Sequence, residues 1–227
     1  MAAGFQAFNT AGTYQIDGVY KSFVLTRRVD VATTQAAGGN SSVGSQVGLA
    51  IAANELVALR CDSPCAPVGT LAGQFYVRTT AAVGTTISCY FFAPITASDA
   101  TVGLQVFTES GELVFCASKK PLSFRDFVSG EGTFTYETGR VFAALMITQR
   151  YRVFDEVIPP GTTGGIWFHI VQAQRGMTKN AAGGIAVSYE TDYQNASQSS
   201  AGAPGTPSQA CQSPLGSYHA LIDVTNY

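Results

Sequence analysis

The sequence predicts an all-β protein, and three observations support that class. Apolar residues recur at every second position in a long series of short runs. These runs are rich in Val, Ile, Phe, Tyr and Thr, and each is bounded by the Gly, Pro, Asn or Ser that punctuates strands. Only Ala52–Arg60 has any helical look, and its Leu56-Val57-Ala58-Leu59 core reads equally well as a strand. Many short strands with almost no helix imply one or two β-sandwich or barrel-like units built from antiparallel hairpins.

Taken in order, Ser22–Val31 places Phe23, Leu25, Arg27, Val29 and Val31 on one side of a pleat. Ala36–Ser45, rich in Gly and Ser, reads as a hairpin tip or long surface loop. Gln74–Thr80, Thr85–Phe92, Thr101–Phe107 and Glu112–Cys116 have the strand composition, as do Leu122–Val128, Arg140–Thr148 and Arg150–Phe154. Ile158-Pro159-Pro160-Gly161 through Gly165 is a hard turn, because prolines cannot donate to a ladder and glycine reaches positive φ. Gly165–Gln172 and Gly183–Tyr189 are further strands. Asn195–Pro214, uncharged and built of Ser, Gln, Gly, Ala and Pro, reads as a long internal loop before the last strand, Tyr218–Thr225.

The chain repeats itself. Gly4-Phe-Gln-Ala-Phe-Asn-Thr-Ala-Gly12-Thr-Tyr-Gln-Ile-Asp17 aligns with Gly103-Leu-Gln-Val-Phe-Thr-Glu-Ser-Gly111-Glu-Leu-Val-Phe-Cys116 at an offset of 99 residues (103 − 4). Lys21 with Lys120, and Phe23 and Leu25 with Leu122 and Phe124, extend the match. Each copy reads as a hairpin, with Gly12 or Gly111 at the fourth position of a type I turn. The repeat implies a first β unit over residues 1–97 and a second over 98–227, the latter carrying the loop at 195–214.

Charged residues make up 12% of the 227, about half of the usual share. A hydrophobic fraction of 46% excludes disorder, and no apolar run approaches the length of a bilayer helix, so no membrane insertion is expected. With 13 basic against 15 acidic residues the chain lacks a nucleic-acid footprint. The deficit is blockwise. Val31–Asn54, Thr79–Ser98 and Tyr193–Ile222 hold no Asp, Glu, Lys or Arg, which predicts surface covered by neighbouring subunits and hence a homo-oligomer. The amino terminus has neither a cationic segment nor a continuous apolar core, which predicts synthesis and folding in a cytoplasm.

Five cysteines, an odd number, argue against a disulfide framework. Cys61-Asp-Ser-Pro-Cys65 is the one close pair, either a turn-closed disulfide or two buried thiols. His169 and His219 are far apart and have no cysteine partners, so neither metal nor cofactor is expected. Glu55, Asp126, Asp155 and Glu156 are the acids a hydrolase would draw on, but their spacing resembles strand-end surface acids. With no phosphate loop or convergent nucleophile and base, no enzyme is expected. Trp167, Tyr151, Tyr189, Tyr193 and Tyr218 could form a binding platform for sugar or protein, or fill a core and its rim.

The opening pattern Ala-Gly-Phe-x-x-Phe-Asn-x-x-Gly-x-x-Gln-Ile-Asp, followed by an alternating strand (Ala3–Val31), resembles small tail proteins of tailed bacteriophages. Gly-Leu-Gln-Val-Phe-x-x-x-Gly-x-x-x-Phe with its basic turn and apolar strand (Gly103–Val128) resembles a second hallmark of that family. The resemblance covers about a quarter of the chain. Where relatives are expected to carry Asp-Ser after the second hairpin, Cys116-Ala117-Ser118 stands here. The resemblance implies a β-rich virion component of the tail tip, baseplate or tail fibre, in contact with other tail proteins. The alternative is a host-attachment module that recognises a surface glycan or pilus. A capsid jelly roll fits less well, since the first twenty residues contain no Lys or Arg.

Overall fold

A computed structural model describes residues 7–8, 14–16, 21–37, 43–97, 103–149, 151–158, 167–199 and 217–227, and among these the protein is all-β. The strands of the first half are β1 (Ala7–Phe8), β2 (Tyr14–Ile16), β3 (Phe23–Ala32), β4 (Gln35–Ala36), β5 (Ser45–Leu49), β6 (Leu56–Arg60), β7 (Cys65–Leu71), β8 (Gln74–Thr79) and β9 (Thr86–Pro94). Those of the second half are β10 (Gln105–Phe107), β11 (Leu113–Cys116), β12 (Phe124–Ser129), β13 (Gly132–Thr135), β14 (Phe142–Thr148), β15 (Tyr151–Ile158), β16 (Trp167–Ala181), β17 (Gly184–Ser199) and β18 (Tyr218–Asp223). Two antiparallel sheets form the body. A six-stranded sheet has the order β12-β18-β14-β6-β9-β3, and an eight-stranded sheet has the order β13-β17-β16-β7-β8-β5-β4. The hairpins β1–β2 and β10–β11 stand apart as two-stranded sheets.

Both halves of the chain follow one course. Each runs a hairpin, an edge strand of the six-stranded sheet (β3 or β12) and an outer strand of the eight-stranded sheet (β5 or β13). Next come the two strands at the seam between halves, β6 and β7 or β14 and β16, and finally the middle strands, β8 and β9 or β17 and β18. The irregularities repeat too. Register slips at Ala7/Phe8 and at Val106/Phe107, and at Leu25/Arg27 and at Phe124/Asp126, each at the 99-residue offset (106 − 7; 124 − 25). Bulges are specified features of a strand rather than defects, so their recurrence at one spacing marks the same unit built twice. The halves join antiparallel, Ala58 against Leu145 in one sheet and Cys65 against Thr178 in the other.

The second half departs from the first in two places: residues 33–44, with β4, stand between β3 and β5, whereas residues 130–131 alone join β12 to β13, and the connections around the seam strands differ in length. Residues 61–64 suffice to link β6 to β7, and residues 80–85 link β8 to β9. The matching connections of the second half hold the extra chain: β15 has no counterpart, and β16 and β17 have 15 and 16 residues against 7 and 6 in β7 and β8. From Arg175 toward Phe168, β16 pairs with β15 on one side and β17 on the other, giving a three-stranded arm. Residues 195–199, expected in a loop, are the end of β17. The rest of that expected loop, with Cys211, lies outside the described residues, as does Gly12.

The core fills the space between the sheets. Val57, Leu59, Ile87, Cys89 and Phe91 of the six-stranded sheet meet Cys65 and Val77 of the eight-stranded one. On the other side of the seam, Val128, Phe142, Ala144 and Leu221 meet Ile185 and Val187. The six-stranded sheet is also covered on its outer face, where Ala58, Tyr90, Phe92, Ala143 and Ile222 are buried with Val224. A strand buried on both faces alternates nothing and tolerates no charge, and β9 is buried continuously from Ile87 to Phe92. This corrects the reading of the neutral stretches as subunit contacts. Within Thr79–Ser98 and Tyr193–Ile222, the segments Ile87–Phe92 and His219–Ile222 are neutral because the chain encloses them itself. Among the described residues, exposed neutral surface remains in Val31–Asn54, at Thr34, Gln35, Ala36, Ala50 and Ala52, and in Thr79–Ser98, at Ala82, Val83, Gly84, Thr86, Thr96 and Ala97.

Gly44 has φ +88°, and a Cβ there would lie 2.0 Å from the carbonyl oxygen of Thr79. Gly44→Ala therefore meets both left-handed strain and a backbone clash that the β5–β8 ladder cannot relax. A loss of about 2 kcal/mol in urea unfolding is expected; an unchanged midpoint would contradict this register.

Candidate functional site

The chain crosses between sheets at residues 61–64, and thiols stand at both ends of the crossing. Cys61 and Cys65 are free and buried. The Cys65 thiol hydrogen-bonds the Cys61 sulfur, which also accepts the Ser63 amide at 3.4 Å. These donors outweigh burial and bring the Cys61 thiol down to about 7. Cys65, tied to Cys61 and fully enclosed, is raised well above an ordinary thiol, and burial pushes Cys89 up to about 12. The second half grips this corner. The Asn180 amide donates to the Cys61 carbonyl at 2.8 Å, and Asn180 Nδ2 donates to Asp62 Oδ1 at 2.5 Å.

The acids do not converge. Glu55 accepts from Arg27, from Thr26 Oγ1 at 3.1 Å and from the Ala52 amide at 2.9 Å. Burial alone would raise its carboxyl, but these donors hold it below the usual value. Asp126 accepts Tyr136 Oη at 2.8 Å and the Phe127 amide at 2.7 Å. β12 is three strand spacings from β6, about 14 Å, wider than the roughly 5–9.5 Å that separates glycosidase carboxylates. Asp155 and Glu156 lie on the arm, opposite Val171 and Ile170.

Nor do the five sequence-selected aromatics form one platform. Tyr151, Tyr189 and Tyr193 pair with Arg175, Gly176 and Ala173 at the base of the arm. Trp167 pairs with Ser199 eight residues away along β16, about 27 Å off, and Tyr218 belongs to the other sheet. The side chains of Tyr151, Trp167 and Tyr193 lie outside the described residues. Tyr189 is half-buried, its amide donating to Glu131 at 3.3 Å. Gly111 sits in its expected turn with φ +82°, its amide donating to the Thr108 carbonyl at 3.0 Å. A cleft of about 480 Å³ opens where the arm leaves the β7–β8 hairpin, lined by Leu71, Tyr76, Arg78 and Arg175 among others.

Of a different aromatic site the sequence reading singles out only Tyr218. Phe124 and Phe127, 49% and 63% exposed, stack with ring centroids 5.6 Å apart, and Ile147 and Tyr218 are 53% and 44% exposed on neighbouring β14 and β18. Strict alternation sends residues 124 and 127 to opposite faces. The bulge at Arg125 restores both to one face, opposite Ile222 and Ala220, which pack in one cluster. The repeat held the clue, since Leu25 and Arg28 precede them by 99 residues around an equal bulge (124 − 25; 127 − 28). In the first half Arg28 lies beside Tyr90, its guanidinium 5.4 Å from the ring; the second half sets exposed Phe127 beside Ala220. Grouped exposed aromatics of this kind mark interaction surface.

No protein-family model matches the chain, no curated protein matches its sequence and no solved structure matches its fold.

Proposed function

We propose that this chain is a structural component of a bacteriophage tail tip or baseplate, resident in the virion tail and assembling as a homo-oligomer with other tail proteins. The arm is the observation that supports this reading. Among the described residues the remaining edges of the two large sheets are short or guarded: β4 has two residues, β13 has four, β3 carries Arg27, Arg28 and Asp30, β12 carries Arg125 and Asp126, and β15 carries Arg152, Asp155 and Glu156. β17 is different. Its pairing with β13 ends at Val187, and from Tyr193 to Ser199 it has no charge, proline or glycine. Such an edge is a template for another strand. A neutral strand meets a second copy of itself without opposing like charges.

Light scattering at micromolar concentration should report an oligomer. Asn195→Lys combined with Ser197→Lys should return a monomer with unchanged circular dichroism. A wild-type monomer that also fails to label in virions would overturn the reading. The patch of Phe124, Phe127, Ile147 and Tyr218 favours a second reading, a receptor-binding module for host glycan or pilus. Binding to a glycan array or to whole cells that Phe127→Ala abolishes would favour that reading, since a purely structural part binds neither.

A further inference from the structure

We propose that Cys61 and Cys65 form an oxidation site, in which a low-molecular-weight disulfide converts the two thiols into a cystine at the seam between the halves. This inference is independent of any role in a virion. The two free thiols pack in one core cluster at the two ends of a four-residue crossing that contains Pro64. The crossing is open to solvent at Asp62 and partly so at Ser63 and Pro64, which leaves a way in for a small disulfide.

The roles are unequal. Cys61 is the attacking group, because the Ser63 amide and the Cys65 thiol both donate to its sulfur. Its thiolate attacks one sulfur of R–S–S–R, forms Cys61–S–S–R and expels RS⁻, which takes up the proton that Cys61 gave to solvent. Cys65 then loses its proton to solvent and attacks the Cys61 sulfur. The new Cys61–Cys65 bond forms as the Cys61–SR bond breaks, and the second RS⁻ is protonated. Two protein thiols are oxidised and one disulfide is reduced to two RSH. Cys89, in the same core cluster but deeper, takes no part.

The position gives the reaction a consequence. Cys65 pairs with Thr178 where the halves of the eight-stranded sheet join, and Cys61 holds Asn180 through its carbonyl. Oxidation would fix the ends of β6 and β7 where they meet the second half, so that this crossing is loose in a reducing compartment and locked in an oxidising one.

The experiment uses the full chain, incubated with oxidised glutathione, alkylated and cleaved by trypsin. No Lys or Arg lies between Arg60 and Arg78, so one peptide, residues 61–78, carries both cysteines. It should lose two hydrogens and resist alkylation, while Cys89 and Cys116 remain thiols. Cys65→Ser should stop at one glutathione retained on Cys61. If that variant does not fold, the alkylation rate of Cys61 in the native chain replaces it, and should be half-maximal near pH 7. Two alkylated thiols in the peptide, a glutathione on Cys61 that never resolves, or a rate still rising at pH 9 would each overturn the proposal.

Discussion

Phe91→Ala should lower stability by about 3–5 kcal/mol, the largest loss expected from a single substitution in this chain. Phe91 is fully buried at the centre of β9 and packs between the two sheets with Val57, Leu59 and Val77. Its ring also supports the Arg27 guanidinium, 3.7 Å from the ring centroid, and Arg27 in turn binds Glu55. Truncation thus opens a cavity in a close-packed layer and removes the platform under an ion pair. Strands on both sides hold β9 in place, Leu56–Arg60 on one and Phe23–Ala32 on the other, so the site cannot collapse to fill the void. Urea unfolding followed by far-UV circular dichroism measures the cost, and a loss under about 1 kcal/mol would place Phe91 outside the core.

Acid should destabilise the protein through His219. This residue is 2% exposed, its Nε2 has no hydrogen-bond partner among the described residues, and burial lowers its pKa from 6.5 to about 4. Between those values the unfolded chain binds a proton that the folded chain refuses. The contribution is therefore complete above pH 6.5 and is lost as pH falls toward 4, at about 1.4 kcal/mol per pH unit and about 3 kcal/mol in all. Carboxylates held below their usual values, Glu55 and Asp30, add losses of the same sign at lower pH. His219→Leu isolates the histidine: its stability should be nearly flat between pH 6.5 and 4.5, where the parent declines. Equal slopes in the two proteins would show that His219 is not the group responsible.

The fold class was legible because half-buried strands such as Phe23–Ala32 alternate in exposure, but the expected single face was wrong: the bulge at Leu25/Arg27 sends Phe23 and Leu25 to the outer cluster and Val29 and Val31 to the one between the sheets. Strands that break a local rule were not legible. Cys65–Leu71, which was not among the expected strands, contains Pro67 and Gly69, and a bulge between them absorbs both. The helical look of Ala52–Arg60 comes from a turn in which the Glu55 amide meets the Ala52 carbonyl, immediately before β6. The polar end of β17 resembles a loop in composition because its partners, not its side chains, make it a strand. The aromatic site was hidden for a related reason. Whether Phe124 and Phe127 share a face depends on one extra residue between them, and composition carries no record of a bulge.

The placement of the middle strands bears on how the protein is made. β9 closes the first half by entering between β3 and β6, and β18 closes the second by entering between β12 and β14. Each is the last strand of its half to leave the ribosome. Until β18 emerges, β12 and β14 face each other across an unfilled gap with open ladders. A translation product stopped short of residue 218 would keep two bare edges and expose Ala144 and Val128 to solvent, a state that cellular quality control degrades. The order of the strands thus makes closure of each half of the six-stranded sheet wait for its last strand.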